Sequence, residues 1–238
     1  MHNNIIISSC NIWFSDHDKK IRTEILCNTI VKNNIDIMCM QEVTTEPYEK
    51  IKKTLKYCYP DKITNAYGCA IISKYPIVQA KTIGMQSNMG RSLLIAKINI
   101  NGKIVIVCTT HFESEFNKNN KNKLLQYEYV SAILNKIHND YKNVIFCADT
   151  NIIKDDKFAF NEEFRGMNDC WKEAGLNKTK KYTYDFRTNK YMRMQNYKFL
   201  ARLDRILFKC DDIKCKDFDL ITEEFSDHYG IIGKFITT

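Results

Sequence analysis

Polar side chains that could carry out chemistry collect where predicted strands of this chain end. The clearest case is ADTN, residues 148–151, which follows the apolar run NVIFC and places an acid, a hydroxyl and an amide at the end of a buried strand. At any single position, a turn former or a satisfied core histidine is the simpler interpretation. Six such endings favour instead one cleft at a rim of a sheet. The endings contain Asn11, Gln41 with Glu42, His111 with Glu113 and Ser114, Asp149 with Asn151, Asp204, and Asp227 with His228.

The residue types favour one kind of chemistry. Carboxylates and asparagines without a cysteine or histidine cluster are hard oxygen ligands, which match Mg²⁺ or Mn²⁺ better than zinc. A cation between such acids and a phosphate oxygen stabilises the charge that develops during in-line phosphoryl displacement. An aspartate can deprotonate the attacking water, and a histidine can stabilise the phosphorane-like oxygens. The pattern therefore predicts metal-assisted phosphoryl chemistry.

The elements that must position these residues are short strands separated by a few helices. Apolar periodicity predicts helices at 19–32, 46–57, 121–139 and 168–174. Asn101-Gly102 predicts a type I′ hairpin turn, so neighbouring strands are antiparallel and a purely parallel sheet is excluded. A mixed sandwich with outer helices is favoured. The predicted strands lie in IIISSCNIWF, IDIMCMQEV, GCAIISKYPIV, RSLLIAKINI, KIVIVCTTHF, NVIFCADTNI, ARLDRILFK and HYGIIGKFI.

Length and composition set broad limits. The 238 residues suit one domain spanning 1–238. A net charge of +8 would attract a polyanion such as nucleic acid, although lysines that merely solvate the surface are the slightly simpler explanation. Several of the ten cysteines lie in apolar runs, and neither a signal peptide nor an apolar stretch of membrane length is evident. We therefore expect reduced thiols in an intracellular protein of the nucleus or cytoplasm, neither secreted nor membrane-bound.

Seven blocks, in order and over nearly the whole chain, resemble the endonuclease/exonuclease/phosphatase superfamily of Mg²⁺-dependent phosphodiesterases: SSCNIWF, MQEVT, CAIISKYPI, TTHFES, ADTN, ARLDRI and SDHYGI. The resemblance implies an α/β (α+β) fold, a four-layer αββα sandwich of two mixed sheets like that of DNase I. The threonine of ADTN and the Glu-Ser after His111 are similar to the 5′-tyrosyl-DNA phosphodiesterase branch. The chain is expected to be the catalytic domain alone.

The resemblance also implies a metal site and a set of substrate contacts. Glu42 matches the principal Mg²⁺ ligand, with Mn²⁺ as a substitute, and Asp227 and Asn11 surround the metal largely through water. Further contacts are expected from Ser114, Tyr184, Lys154 and Arg202. Lys154 departs from the family pattern, because Ile153 stands where that pattern has an arginine.

The same resemblance implies the reacting groups. Asp149 matches the base that activates water, and Asn151 holds that water and a phosphate oxygen. His228 matches the transition-state stabiliser, oriented by Asp204, and His111 matches a phosphate contact. Residues 149 and 151 are expected to point the same way on an extended segment, with the threonine between them turned into the supporting layer.

The implied reaction is hydrolysis of the 5′-phosphotyrosyl bond between DNA and a trapped topoisomerase or peptide remnant. A phenol, with a pKa near 10, leaves with little acid assistance. Segment 182–193 fits a single-strand groove and a packed hairpin about equally well. Protein-linked RNA is an alternative substrate, and the protein is expected to be a monomer. Also open are an abasic-site endonuclease, a deadenylase or an inositol phosphatase of the same fold, and a non-catalytic nucleic-acid-binding module, which the complete set of acids and histidines disfavours.

Overall fold

The computed structural model describes residues 4–114, 121–152, 157–195 and 198–237. The strands in these ranges are β1 Asn4–Asn11, β2 Ile37–Val43, β3 Tyr57–Tyr59, β4 Gly68–Ser73, β5 Ile77–Gly84, β6 Ser92–Ile100, β7 Lys103–His111, β8 Asn143–Asp149, β9 Asn168–Asp169, β10 Tyr184–Asp185, β11 Leu200–Ala201, β12 Asp204–Cys210, β13 Ile213–Ile221 and β14 Gly230–Thr237. The helices are α1 Lys19–Lys32, α2 Thr45–Ile51, α3 Lys121–Asp140, α4 Lys157–Glu163, α5 Cys170–Glu173 and α6 Lys190–Arg193, with a 3₁₀ turn at Lys178–Lys180.

The strands form two six-stranded mixed sheets. The first has the order β13-β14-β1-β2-β4-β3, and the second has the order β5-β6-β7-β8-β12-β9. In the first sheet β1 runs parallel to β2 and antiparallel to β14. In the second, β8 runs parallel to β7 and antiparallel to β12. Strands β10 and β11 form a separate short ribbon.

The sheets pack face to face and carry helices on their outer faces, as the alternation of side chains in β2 shows. Ile37 and Cys39 point into the core between the sheets, whereas Met38 and Met40 pack in the outer core that includes Leu26 of α1. A strand buried on both faces explains an apolar run without polar interruptions. Helices α3 and α4 cover the second sheet in the same way. The four-layer αββα sandwich is confirmed.

Several predicted elements are confirmed and others need correction. Asn101 and Gly102 have φ values of 51° and 91°, as a type I′ turn requires. The predicted helix 46–57 ends at Ile51, because Tyr57–Tyr59 pairs instead with β4. The predicted helix 168–174 is limited to Cys170–Glu173 after a short strand. The run GCAIISKYPIV is two strands, β4 in one sheet and β5 in the other.

Strand β13 was not predicted. Its alternating pattern is interrupted by a register shift between Cys215 and Asp217, which breaks the period of two that would have revealed it. All ten cysteines are free in the structure. In the described part of the chain, we find no helix long and apolar enough to cross a membrane.

Candidate active site

The predicted polar residues converge on one rim of the sandwich, but by a different route from the one expected. Three of them lie at the beginning of a strand and not at its end: Asp204 begins β12, and Asp227 and His228 precede β14. The prediction that all six endings are carboxyl ends of strands is therefore wrong. Because β12 and β14 are antiparallel to β8 and β1, their beginnings reach the same rim as the ends of those strands.

Two site residues have backbones in the left-handed region. Glu42 has a φ of 56°, at an irregularity in the pairing of β2 with β4 between Met40 and Val43. Asn151 has a φ of 45°, so the prediction that 149 and 151 lie on one extended segment is wrong. The backbone N–H of Asn151 donates to Oδ1 of Asp149 at 3.1 Å, and its Nδ2 donates to the carbonyl of Phe112 at 2.9 Å.

Thr150 does turn into the supporting layer, as predicted. It is completely buried, and its backbone N–H donates to the carbonyl of Leu203 at 2.8 Å. Its hydroxyl bonds to the same carbonyl. This pair of hydrogen bonds fixes Asp149 against the segment that leads into Asp204.

Glu42 and Asp227 form a pair of carboxylates whose ionisation is unfavourable. Burial and then the charge of Asp227 raise the pKa of Glu42 to about 7, despite hydrogen bonds from Asn11 and from the backbone of Phe14. Burial also raises the pKa of Asp227. Two close, partly desolvated carboxylates each oppose ionisation of the other, and a bound cation removes that penalty.

Asn11 connects this pair to Asp149. Its Nδ2 donates to Oε1 of Glu42 and to Oδ2 of Asp149, both at 2.9 Å. Its Oδ1 accepts from the backbone N–H of Trp13 at 2.9 Å. The carboxamide is thus engaged at both ends, and it sets the spacing between Glu42 and Asp149.

His111 is neutral and has a defined tautomer. Burial lowers the pKa of His111 to about 3; Asp149 opposes this effect and Arg91 adds to it. Nη1 of Arg91 lies 2.9 Å from Nδ1 of His111. Because an arginine can only donate, Nδ1 must accept and the proton resides on Nε2. That nitrogen lies 3.3 Å from Oδ2 of Asp149.

His228 is charged. Its Nδ1 donates to Oδ2 of Asp204 at 2.8 Å, and its Nε2 lies 3.9 Å from Oδ2 of Asp149. Burial opposes the charge, but Asp204 and Asp149 outweigh it and raise the pKa of His228 well above the ordinary value. Asp204 is held in turn by Thr183, whose hydroxyl accepts the backbone N–H of Asp204 at 3.1 Å.

Asp149 lies between the two histidines and remains ionised. Burial alone would raise the pKa of Asp149, but the charge of His228, together with hydrogen bonds from Asn11 and from the backbone N–H of Asn151, lowers it below the ordinary value. Ligand atoms of Asp149, Asp204 and His228 lie within 4.8 Å of one another and could geometrically hold a metal. Since His228 is protonated and bonded to Asp204, Glu42 and Asp227 are the better candidate ligands.

The predicted substrate contacts divide into several groups. The hydroxyl of Ser114 lies 3.3 Å from Nη2 of Arg91, at the edge of the site. Tyr184 is buried, and its ring centroid lies 4.9 Å from that of His228, so the tyrosine supports the histidine rather than presenting a stacking face. Arg202 binds Asp169 through two hydrogen bonds of 2.9 and 2.6 Å, so the assignment of Arg202 to the substrate is wrong. Lys154 lies outside the described residues.

Comparison with known proteins identifies the architecture. A model of the Endonuclease/Exonuclease/phosphatase family matches residues 8–228. The chain belongs to this family. Tyrosyl-DNA phosphodiesterase 2 of Xenopus tropicalis is 28% identical over 228 residues, covering 88% of this chain and 60% of the relative. The Gallus gallus protein of the same name is 26% identical over 229 residues, with 88% and 60% covered. The chain thus spans about 60% of the length of these relatives.

Solved structures of other family members share the fold. Truncated Caenorhabditis elegans TDP2 superposes with a TM-score of 0.85 at 23% identity, covering 99% of this chain and 98% of that one. D. rerio TDP2 complexed with single strand DNA product gives 0.86 at 23% identity, with 98% and 99% covered.

Two arginines that organise the site were not predicted from the sequence. Arg91 contacts His111 and is held 3.7 Å from the buried carboxylate of Glu113, which also accepts from the hydroxyl of Ser87 at 2.8 Å. Its only local signal is the preceding glycine, Gly90, with a φ of 68°. Glu113 was noted as a strand-end acid, but here it organises the 87–91 loop.

Arg22 lies on α1 and is 3% exposed. Its guanidinium donates to the carbonyls of Ile12 at 2.8 Å, Trp13 at 3.1 Å and Phe225 at 3.2 Å. It therefore ties the loop that follows Asn11 to the loop that carries Asp227. In the sequence, nothing distinguishes it from an ordinary surface arginine of an amphipathic helix.

Proposed function

We propose that this protein is a divalent-metal-dependent phosphodiesterase that hydrolyses the ester between a tyrosine and the 5′-phosphate of DNA, with Mg²⁺ as the resident cation and Mn²⁺ as a substitute. One observation carries the proposal: an ionised, buried Asp149 lies between a neutral His111 and a charged His228, beside the carboxylate pair of Glu42 and Asp227. The relatives named as tyrosyl-DNA phosphodiesterases support the choice of substrate.

Glu42 and Asp227 would hold the cation. Their oxygen donors fit Mg²⁺, and burial beside Asp227 raises the pKa of Glu42, a cost that a bound cation would offset. When bound, a divalent cation polarises the phosphate and stabilises negative charge on the departing oxygen. Asn11 contributes by fixing the position of Glu42 relative to Asp149.

The protein groups then divide the remaining work. Asp149 accepts a proton from the attacking water, while Asn151, fixed by Phe112, holds that water. The imidazolium of His228 donates to a phosphate oxygen as charge develops, and Asp204 keeps the ring charged and oriented. The bond from the water oxygen to phosphorus forms and the bond from phosphorus to the tyrosyl oxygen breaks. The products are a 5′-phosphate and a phenolate that takes a proton from solvent.

Segment 182–193 provides basic groups near the site for a nucleic acid strand. Arg187 and Arg193 are exposed, and Arg187 lies 5.9 Å from the ring of Tyr182. Tyr191, by contrast, is buried, so the segment, which contains β10 and α6, packs against the domain and exposes basic groups on its outer surface. Phosphate contacts from such groups attract DNA or RNA without selecting a sequence. Protein-linked RNA is therefore a second substrate to test.

A substrate panel tests the proposal. The chelator-treated protein is assayed with and without Mg²⁺ on a 5′-phosphotyrosyl oligonucleotide, its RNA counterpart, an abasic duplex, poly(A) and an inositol phosphate. We expect Mg²⁺-dependent release of tyrosine from the first substrate at a kcat/KM at least 10-fold above that for the abasic duplex, poly(A) and inositol phosphate. Preference for one of these three would replace the substrate and keep the chemistry. Metal-independent binding without turnover of any ester would refute the proposal that the protein is an enzyme.

A further inference from the structure

Phe14 is an exposed aromatic side chain at the edge of the site. The residue is 51% exposed, although its backbone N–H donates to Oε2 of Glu42 at 3.1 Å. One face of its ring stacks on Tyr67, with centroids 5.2 Å apart and planes inclined by 21°. The other face is open to solvent immediately beside a proposed metal ligand. Large apolar side chains exposed next to a polar cleft commonly mark a binding surface.

Tyr67 is anchored on the protein side of this stack. The guanidinium of Arg91 lies 5.8 Å from the centroid of the Tyr67 ring. Tyr67 and Arg91 also line a small cleft together with Glu42 and His111. The aromatic pair is thus continuous with the groups that surround the reacting phosphate, and Tyr67 gives Phe14 a fixed support.

The direction of the reaction places the departing group on this side. In-line displacement puts the attacking and departing oxygens on opposite sides of phosphorus. Asp149, the proposed base, marks the side of the water. The cation that Glu42 and Asp227 would hold would stabilise the departing oxygen, so the departing group would lie on the Glu42 side of phosphorus. Phe14 is on that side, because its backbone N–H donates to Oε2 of Glu42.

We propose that Phe14, supported by Tyr67, binds the aromatic ring of the departing group and so makes phenolic esters the preferred substrates; this inference rests on the proposed function. A flat, rigid ring packs on an exposed aromatic face at little conformational cost, and such pairs add affinity beyond the buried area. An alkyl departing group lacks that face. Phe14 is then a residue that determines specificity, separate from the groups that transfer protons.

The experiment compares two substrates in matched variants. One oligonucleotide carries a 5′-phosphotyrosyl ester and the other a 5′-trifluoroethyl ester, which is an alkyl ester with an activated departing group. Phe14→Ala removes the ring, Phe14→Leu keeps apolar bulk, and Phe14→Tyr keeps the ring. Phe158, an exposed phenylalanine of α4 that is 77% exposed, supplies the control variant Phe158→Ala. Inhibition by tyrosine amide is measured for each protein as a binding readout without turnover.

We expect Phe14→Ala and Phe14→Leu to lower kcat/KM for the tyrosyl ester by about 3- to 10-fold and to weaken inhibition by tyrosine amide by a similar factor. The alkyl ester should change by less than about twofold in every variant, and Phe14→Tyr should resemble the wild type. Equal losses on both esters, or no loss on either, would overturn the inference while the proposed function stands. A wild-type protein that cleaves the alkyl ester but not the tyrosyl ester would overturn both.

Discussion

Asp149→Asn is the most direct test of the proposed base. The substitution keeps size and shape but removes the carboxylate that would accept a proton from water. Loss of a general base typically lowers turnover by about 10²- to 10⁴-fold. The neighbours of Asp149 predict that the loss lies at the upper end, because His228 would also lose one of the three carboxylates that raise its pKa.

The same substitution should lower the free energy of unfolding. Asp149 accepts hydrogen bonds from Nδ2 of Asn11 and from the backbone N–H of Asn151. Either orientation of an asparagine amide directs its NH₂ group at one of these donors. A buried donor without an acceptor costs about 1 to 3 kcal/mol. The pKa of Asp149 is lowered in the folded protein, so its ionised form stabilises the fold above about pH 4, and this contribution is lost as the pH falls further.

Single-turnover hydrolysis of a 5′-phosphotyrosyl oligonucleotide at saturating metal measures the chemical effect, and urea unfolding at pH 7 measures the second. Asp36→Asn is the matched control, because Asp36 is also buried and accepts from the backbone N–H of Ile6 at 2.9 Å. We expect the control to retain wild-type turnover. Turnover of Asp149→Asn within about threefold of wild type would remove Asp149 from the mechanism.

Three further perturbations follow from the site. The pKa of Glu42 is about 7 against an ordinary 4.5, so its protonation stabilises the metal-free protein at low pH, and this contribution is lost as the pH rises through about 7. Glu42→Gln should therefore flatten the decline in Tm between pH 5 and pH 8. Identical declines in the variant and the wild type would contradict this assignment of the pKa. Asp204→Asn should lower the pKa of His228 and reduce turnover by about 10-fold or more, with the larger loss at higher pH. An NMR titration of His228 measures the first effect, and a pH profile of kcat measures the second. An unchanged titration would show that Asp204 does not keep His228 charged. Arg22→Lys keeps the charge but loses the guanidinium that binds the carbonyls of Trp13 and Phe225, so it should destabilise the fold by about 2 kcal/mol. It should also weaken Mn²⁺ binding several-fold, as measured by calorimetry, whereas Arg187→Lys at an exposed position should not. Wild-type Mn²⁺ affinity in Arg22→Lys would limit the role of Arg22 to folding.

The acids and histidines of the site could be predicted from the sequence, because their positions depend on short-range features. Each lies within a few residues of a strand boundary, and in a mixed sheet the ends of parallel strands meet the beginnings of antiparallel neighbours at one rim. Asp204 and Asp149, for example, are direct partners in the β8 and β12 register. The error in strand polarity therefore did not affect the set of residues that converge.

Residues positioned by tertiary contacts were predicted poorly. Arg91 reaches His111 only because the 87–91 loop closes on the buried Glu113, a contact that no local pattern encodes. Arg202 was misassigned for the converse reason. Its partner Asp169 lies 33 residues away in the chain, and the two hydrogen bonds between them leave the guanidinium 8% exposed.

The charge of the rim favours an enzyme over a module that only binds nucleic acid. Glu42, Asp149, Asp204 and Asp227 bring four carboxylates to this rim, and the charge of His228 lies 2.8 Å from Asp204 and 3.9 Å from Asp149. A phosphodiester adds further negative charge, so Coulomb repulsion disfavours its approach until a divalent cation reverses the local sign. Burial and then the charge of Asp227 raise the pKa of Glu42, so these negative charges are costly at this rim. Burying acids at this cost gains nothing for a surface that must simply attract a polyanion, whereas it is the arrangement that metal-assisted hydrolysis requires.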